Sequence, residues 1–290
     1  MKKAIFSLGL VIGVYSTLMA EPNIPRGNFD SKLSKEAGKP GMFIRGKENF
    51  PKDYFLVHNN LPFLAGLSLH HPKSSTLNLT KEQVKAIVDI KKRTVPKVVK
   101  SSKEIKKLEL ELAKNIAIDT NSAKTQYSLV DKIGKLRTQL TKAHLQCINE
   151  VRAVLSKKQY EKLLAYSTKL NNKKSNKFKI DELVILPHPG KFIKKGKIKA
   201  SKEQKQRIEK EIKANYPKIF QAKMREAFKL EKKVQRAVSK GKTKSDLKDI
   251  LDQIAKLKRE AMDSRIDALN HIQKILDQKQ WKKVNKLTYK

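Results

Sequence analysis

Cys147 and His144 are the residues whose types and spacing best suit them to bind a metal ion. A thiolate and an imidazole are ligands that zinc and related metals prefer, and a spacing of three places them on neighbouring turns of a helix. Cys147, however, falls on an apolar stripe, where a small buried thiol is the usual occupant. We therefore predict a buried, inert Cys147 and a surface-exposed His144. With one cysteine in the chain, an intrachain disulfide is excluded.

Three histidines form a second group of candidate metal ligands, just ahead of the first predicted long helix. They are His58, His70 and His71. None of them has a histidine at the matching position of the second repeat defined below, so the sequence holds no duplicated metal site. We interpret them as loop histidines near a helix end and expect no bound cofactor. A transition metal held by these histidines, or by Cys147 and His144, is the alternative.

The sequence shows no recognisable catalytic motif. Gly241-Lys242-Thr243 superficially resembles a phosphate-binding loop, but Arg236 occupies the position five residues earlier, where that motif requires glycine. Neither a nucleophile motif nor a pair of carboxylates with acid–base spacing emerges from the polar residues. We therefore expect that the protein is not an enzyme.

The helices that would position these residues are marked by a repeated signature, in which Thr, Ser or Asp is followed three positions later by Gln. This is the pattern of a capping box, where the first side chain accepts from the backbone N–H three residues on and the Gln side chain reaches back. Four copies predict four helix starts. The motif residues are Leu79, Thr80, Gln83, Leu155, Ser156, Gln159, Ser201, Gln204, Leu276, Asp277 and Gln280.

The four motifs fall into two pairs with a constant offset of 121 residues, which indicates a tandem duplication. The offset pairs Thr80 with Ser201, Ser156 with Asp277 and Pro96 with Pro217. We expect each proline to kink or end the first helix of its repeat. The longest helix of each repeat carries an apolar stripe. Its members are Leu129, Ile133, Leu136, Leu140, Ala143, Cys147, Val151 and Val154, with Ile250, Ile254, Leu257, Ala261, Ser264, Ala268, Ile272 and Ile275 at the matching positions.

An export signal and a flexible arm precede the repeats. A cleaved secretory signal peptide typically has a positively charged start, a short apolar run and a small residue at the cleavage site. Residues 1–20 show this pattern, with Lys2 and Lys3 at the start and Ala20 at the cleavage site. The residues that follow contain several prolines and glycines and no regular spacing of apolar residues, which indicates a flexible arm. The predicted parts are a signal peptide (1–20), an arm (21–55), repeat one (56–170), a linker (171–199) and repeat two (200–290). A start of repeat two near residue 180 is the alternative.

The composition is strongly basic and favours helices. Lysine and arginine number 66 against 28 acids, for a net charge of +38, which becomes +36 when Lys2 and Lys3 leave with the signal peptide. Such a charge attracts acidic proteins, anionic lipids or lipopolysaccharide phosphates, and export argues against a physiological nucleic-acid partner. Aromatic residues make up 6% of the chain and glycine is scarce, so we predict an all-α fold.

Paired Leu-Thr-x-x-Gln motifs around a helical hairpin, behind a signal peptide, resemble the LTxxQ family of periplasmic proteins typified by Spy and CpxP. The resemblance covers about residues 56–170 and 180–290. It implies a periplasmic, ATP-independent chaperone or envelope-stress adaptor that holds unfolded or acidic clients on a basic, curved helical face. Some members also restrain a sensor kinase. This chain departs from the family in its internal duplication and in its high lysine content. It also departs in the motif itself, where Ala200 replaces leucine and Ser201 and Asp277 replace threonine.

Two alternatives to the chaperone hypothesis stay open. The CnrX-type branch of the family implies a heavy-metal sensor or scavenger, whose His ligand lies eight residues before the closing motif. That position is Cys147 here, and Val151 stands where a methionine is expected. The other alternative, which follows from the charge, is an envelope protein that binds a polyanion such as lipopolysaccharide.

The two repeats are expected to pack against each other. Each one is a thin helical layer whose apolar stripe must be buried against another element. The resembled family achieves this by dimerisation. We therefore predict an intrachain pseudo-dimer and a protein that is a monomer in solution.

Overall fold

A computed structural model describes residues 55–57, 61–118, 123–167, 183–184 and 186–288. No strand occurs in these ranges, which confirms the predicted all-α class. The proposed signal peptide, the arm up to residue 54 and His58 lie outside the described residues. Within the described residues, every helix is too short or too polar to cross a membrane.

Nine α-helices follow one another along the described residues. They are α1 Leu64–His70, α2 Lys81–Ile118, α3 Tyr127–Val154, α4 Lys157–Tyr166, α5 Pro189–Lys194, α6 Lys202–Arg207, α7 Tyr216–Ser239, α8 Lys248–Ile275 and α9 Gln278–Thr288. A π-helical turn, Ile208–Lys213, follows α6 and precedes α7. Two 3-10 turns cover Ser74–Leu77 and Ala123–Gln126. The bounds of α8 follow those of α3 by 121 residues at both ends, so the sequence offset is reproduced in the helices.

Each long helix pairs with the next one along the chain in an antiparallel hairpin. In the first hairpin α2 packs on α3, and Arg93 pairs with Glu150. In the second hairpin α7 packs on α8, and Lys223 pairs with Glu260. Helices α3 and α8 also contact each other, again antiparallel, with Lys142 paired to Asp252 and Asp131 paired to Arg259. One apolar core therefore runs through both hairpins.

Helix α3 is buried on a wider face than the predicted stripe. Ile133, Leu140, Cys147 and Val151 of the stripe are buried as expected. A second set of buried residues lies beside them on the helix. This set comprises Val130, Arg137, Thr141, His144 and Ile148. The second face is covered by the segment 55–57, in which Phe55, Leu56 and Val57 are all at most 1% exposed. The last residue assigned to the flexible arm is thus part of the core.

The segment that joins the repeats also contributes to the core. Part of the predicted linker, residues 171–182 and 185, lies outside the described residues. Of the remainder, Leu183, Val184, Leu186 and Ile198 are buried, and α5 contacts α9. This part of the linker is therefore packed against the repeats.

Pro96 does not end the first helix, so of the two predicted effects, a kink or an end, the end does not occur here. Helix α2 runs from Lys81 to Ile118 with Pro96 inside it, whereas Pro217 lies in the first turn of α7. An interior proline costs about 3 kcal/mol. Burial of Val98 and the apolar residues after it contributes about 1.5 to 3 kcal/mol for each side chain. The packing on α3 outweighs the cost, and the helix continues.

The first helical stretches of the two repeats, 81–118 and 202–239, have equal length, but repeat two has one extra residue between its matched buried positions. Ile87 and Ile208, the first residue of the π-helical turn, are buried at an offset of 121. From Ile212, near the end of the turn, the buried positions match at an offset of 122. The matching pairs are Ile90 with Ile212, Val98 with Phe220, Ile105 with Ala227, Leu112 with Val234 and Ile116 with Val238. A π-helical turn is the usual way for a helix to accommodate an extra residue. Pro217 therefore corresponds in packing to Val95 and not, as the sequence offset suggested, to Pro96.

Candidate functional site

Cys147 is buried, as predicted. It is 4% exposed, and burial, assisted by the charge of Glu150, raises the pKa of its thiol to about 12. Since the thiolate is the nucleophile and the metal ligand, a thiol with this pKa is almost entirely unreactive at neutral pH. The structure thus gives Cys147 the environment of a small core residue.

His144 is buried, so the prediction of a surface histidine is wrong. Its Nε2 donates to the carbonyl of Pro62 at 3.0 Å, and its ring packs on Phe55 with centroids 5.2 Å apart. The side chain is covered because Phe55 and Pro62 lie on this face of α3. The ring nitrogen that could reach a metal from this side is occupied by the Pro62 carbonyl. His144 and Cys147 therefore belong to different faces of the core.

The histidines near the end of α1 are held by local contacts. The ring of His71 stacks on Tyr166 at 4.7 Å, and its Nδ1 accepts from the backbone N–H of Lys73 at 3.1 Å. Burial and the nearby Lys91 lower the pKa of His70. Over the residues that the structure describes, no group of three or more His, Cys, Asp or Glu side chains is arranged to hold a metal ion.

Each of the four signature motifs forms a capping box at a helix start. At α2, the backbone N–H of Gln83 donates to Thr80 Oγ1 at 3.2 Å, and Thr80 N–H donates to Gln83 Oε1 at 3.0 Å. Ser156 caps α4, Ser201 caps α6 and Asp277 caps α9 in the same reciprocal way. The leucines that precede the caps pack on the core, Leu79 partly and Leu155 and Leu276 as buried residues.

The capping boxes also join in pairs, which the sequence does not reveal. Gln83 Nε2 donates to Gln159 Oε1 at 2.9 Å, and Gln159 Nε2 donates to Gln83 Oε1 at 3.1 Å. Gln204 and Gln280 make the same reciprocal pair at 2.9 and 3.0 Å. We call each pair a glutamine clasp. It ties the start of the first helix of a repeat to the start of its last helix, so the motif has a structural role in both repeats.

Two buried cations occupy matching positions in the centre of the molecule. Arg137 and Lys258 are 121 residues apart and at most 1% exposed. Arg137 donates to the carbonyls of Phe55 (3.1 Å) and Leu183. Lys258 Nζ donates to the carbonyl of Leu56 at 2.7 Å. The two cations thus fasten the segment 55–57 between α3 and α8.

A buried carboxylate accompanies the cation in repeat two. Glu231 Oε1 lies 2.8 Å from Lys258 Nζ, and both side chains are at most 4% exposed. Glu109, also buried, holds the matching position in repeat one at the offset of 122. Sequence reasoning missed these residues because it treated charged positions as solvent-facing. The signal that could have found them is a charged residue repeated beside the apolar stripe in both repeats.

The most exposed apolar surface lies on repeat two, at the start of α7. Ile219 is 50% exposed, and beside it Tyr216 and Pro217 are half-buried and Ala222 is exposed. We call these four residues the apolar patch. At the packing offset of 122, Ile219 replaces Lys97 and Ala222 replaces Lys100, both of which are exposed lysines on α2. Lys218, Lys223 and Glu226 border the patch. The second repeat thus shows apolar side chains where the first shows cations.

Comparison with protein-family models, with curated proteins and with solved structures gives no match for this chain. The resemblance to the LTxxQ family therefore rests on the four motifs and their arrangement.

Proposed function

We propose that the protein is an exported, ATP-independent chaperone or adaptor that binds unfolded, acidic segments of other proteins. The observation that carries this proposal is the apolar patch around Ile219, set in a strongly basic surface. A contiguous apolar area with a charged border is the usual form of a protein-binding surface. The motif resemblance and the secretory character of residues 1–20 support the periplasm as its location.

Binding would proceed in two steps that depend on different residues. The net charge of +36 that remains without Lys2 and Lys3 first draws an acidic segment towards the surface, which raises the rate of encounter. Contact with Ile219 and its neighbours then removes a small apolar area from water. A side chain of this size contributes at most about 1.5 to 3 kcal/mol when it is fully buried. Such a contact is weak, so a client is released without an energy source.

The contact between α3 and α8 supports a pseudo-dimer within one chain. Beyond the ion pairs, Tyr127 donates to Asp267 at 2.9 Å and Tyr160 donates to the carbonyl of Val238 at 3.2 Å. The full chain is therefore expected to sediment as a monomer. Repeat one alone, residues 56–170, should dimerise or aggregate because the face it buries against α8 would be exposed. A stable, well-folded monomer of repeat one would contradict the pseudo-dimer.

The chaperone proposal is tested with two reciprocal substitutions. Ile219→Lys imports the residue that repeat one carries at the matching position. Val84→Lys removes the other large exposed hydrophobic side chain, 38% exposed, and imports the residue found at Lys205. Both variants add one positive charge at an exposed site, so Val84→Lys is a matched control.

The measurement is suppression of the aggregation of reduced α-lactalbumin, an acidic client, at moderate salt. Ile219→Lys should reduce the suppression at least about fivefold, since loss of about 1 kcal/mol corresponds to that factor. Val84→Lys should leave it unchanged. Equal activity of Ile219→Lys and the wild-type protein, or no suppression by the wild-type protein, would reject the proposal.

A further inference from the structure

The C-terminal part of α7 and the loop after it carry a dense group of cations. Lys233, Arg236, Lys240 and Lys242 are exposed, and Lys244 is half-buried. Glu231 is the one acid between residues 227 and 245, and it is buried against Lys258. No acid on this stretch therefore offsets the five positive charges at the surface.

Arg152, at the end of α3, joins this group across the contact between the repeats. Its guanidinium donates to the carbonyl of Gly241 and lies over the ring of Tyr160, 5.5 Å from the centroid. The hydroxyl of Tyr160 in turn donates to the carbonyl of Val238. We call Arg152, Lys233, Arg236, Lys240, Lys242 and Lys244 the basic pole. Its loop is held in place by α3 and α4.

Gly241 is required for this arrangement. Its φ of +82° lies in the left-handed region, and a Cβ atom there would come within 2.1 Å of the Arg152 guanidinium. A side chain at this position would displace Arg152 and strain the loop. The sequence is thus adapted to bring the arginine close to the lysine-rich loop.

Two acids, Asp246 and Glu150, offset part of the charge of the basic pole, since Lys242 helps to lower the pKa of Asp246 and Lys244 helps to lower the pKa of Glu150. Asp246 accepts from the backbone N–H of Thr243 at 2.8 Å, and Glu150 pairs with Arg93 at 2.6 Å. None of the six cations takes part in a salt bridge within the described residues. The like charge of Arg236 adds to burial in lowering the pKa of the adjacent Lys232. The pole therefore retains a positive field that an external anion can neutralise.

A group of aspartates lies at the opposite end of the α3–α8 contact. There Asp131, Asp263 and Asp267 surround Arg259 and Tyr127, and burial together with Asp267 raises the pKa of Tyr127 to about 12. Acids also lie near the basic pole, where Asp252 pairs with Lys142 and Lys248. The pole is therefore distinguished by its six cations and not by an absence of acids around it.

We propose that the basic pole docks on the phosphate headgroups of an anionic lipid surface. A cluster of four to eight lysines and arginines suffices for such binding, at about 1 kcal/mol for each residue near the surface. The two large exposed hydrophobic side chains among the described residues, Val84 and Ile219, lie outside the pole. The contact is therefore electrostatic, at headgroup depth. The aromatic ring that contacts Arg152, that of Tyr160, is 7% exposed and is therefore a poor platform for stacking nucleic-acid bases.

The test compares two variants of equal net charge in the full chain. The pole variant combines Lys233→Gln, Arg236→Gln, Lys240→Gln and Lys242→Gln. The control combines Lys100→Gln, Lys103→Gln, Lys107→Gln and Lys114→Gln, which removes four exposed cations from α2. Circular dichroism first establishes that both variants melt like the wild-type protein. Binding is then measured by flotation with phosphatidylcholine vesicles, with and without phosphatidylglycerol, over a salt series.

The wild-type protein should bind the anionic vesicles and not the neutral ones. The pole variant should lose about 100-fold in affinity and show a shallower salt dependence, while the control should lose less than about fivefold. Equal losses in the two variants would overturn the proposal, since net charge alone would then explain binding. Stronger retention of single-stranded DNA than of anionic vesicles at the same salt, abolished in the pole variant, would also overturn it and assign the pole to nucleic acid.

Discussion

Helix α2 and its counterpart in repeat two occupy the same span of sequence and differ in continuity. Helix α2 is one helix from Lys81 to Ile118, and the counterpart is divided between residues 202 and 239 into α6, a π-helical turn and α7. The π-helical turn accommodates one extra residue. The offset returns to 121 at α8, because Val238 lies ten positions before Lys248 whereas Ile116 lies eleven positions before Tyr127. The counterpart is held at both ends, since the glutamine clasp fixes the start of α6 and α7 packs on α8.

The difference shows which features of the hairpin are fixed and which are free to change. The buried positions, the helix starts and the buried cation are the same in both repeats. The exposed positions after the extra residue have diverged, from Lys97 and Lys100 to Ile219 and Ala222. Packing therefore constrains the buried face of the helix. The exposed face is free to change, and in repeat two it carries the apolar patch on which the chaperone proposal depends.

Single-residue deletions should give the largest effect. Deletion of Lys92 would rotate the rest of α2 by about 100°, which takes Val98 and Ile105 out of the core. We expect this variant to lose cooperative unfolding in urea. Deletion of Lys210 removes the extra residue of the π-helical turn, so the same experiment should show a loss of at most about 2 kcal/mol. If the Lys210 deletion unfolds the protein as well, the proposed one-residue insertion is wrong.

Removal of the buried cation of repeat two should be the next largest effect. Lys258→Ala leaves Glu231 without its partner and should lower the free energy of unfolding by about 3 to 5 kcal/mol. The double variant Lys258→Met with Glu231→Leu should recover most of that loss, because both charged side chains of this ion pair are then replaced by apolar ones. Urea denaturation with an unchanged m-value is the measurement. A double variant that is no more stable than Lys258→Ala would contradict the ion-pair account.

The two prolines provide a matched pair of substitutions. Pro96→Ala restores a hydrogen bond inside α2 and should stabilise the protein by about 1 to 3 kcal/mol. Pro217→Ala, in the first turn of α7, should change stability by no more than about 0.5 kcal/mol, because proline is well tolerated there. Thermal unfolding followed by circular dichroism distinguishes the two. Equal shifts in Tm would show that the two prolines have equivalent surroundings.

The caps should give a smaller effect that is similar in both repeats. Thr80→Ala and Ser201→Ala each remove one capping side chain and should cost about 0.5 to 2 kcal/mol. Gln83→Ala should cost more than Thr80→Ala, because it removes the reach-back bond and the clasp to Gln159 as well. Client binding per folded molecule should be unchanged in all three. A folded Thr80→Ala protein without client binding would make the motif a contact surface.

Cys147→Ala should have the smallest effect, because Ala268 already fills the matching position of repeat two. We expect a stability change of about 1 kcal/mol or less. Because burial raises the thiol pKa to about 12, labelling by a thiol reagent at pH 8 should be far slower than in the unfolded protein. The rate should increase as pH rises towards 12. Fast labelling at pH 7, or protection of the thiol by nickel or zinc, would favour the metal-sensor alternative.

The sequence predicts most of what is local in this fold. The caps at Thr80, Ser156, Ser201 and Asp277 and the stripe of α3 depend on neighbouring residues, so their patterns indicate the helices correctly. The end of α7 at Ser239 is equally local, since Gly241 follows it with positive φ.

What the sequence does not predict depends on distant contacts. His144 and Arg137 are buried because Pro62 and Phe55, each 82 positions earlier in the sequence, contact α3. The extra residue before α7 escapes detection because one residue fewer lies between Val238 and α8 than between Ile116 and α3, so the motif offset stays constant. Helix α2 passes Pro96 for a similar reason, since packing on α3 outweighs a local preference.

The glutamine clasp makes each repeat a closed topological unit. In repeat one, Gln159 Nε2 donates to the carbonyl of Leu77, and Tyr166 shares a hydrogen bond with Thr76, so the chain leaves where it entered. In repeat two, Gln280 Nε2 donates to the carbonyl of Lys199. A unit whose ends adjoin can be copied in tandem, or circularly permuted, without disturbing its interior. The same clasp that holds the helices together is therefore compatible with the tandem duplication that the sequence offset predicts.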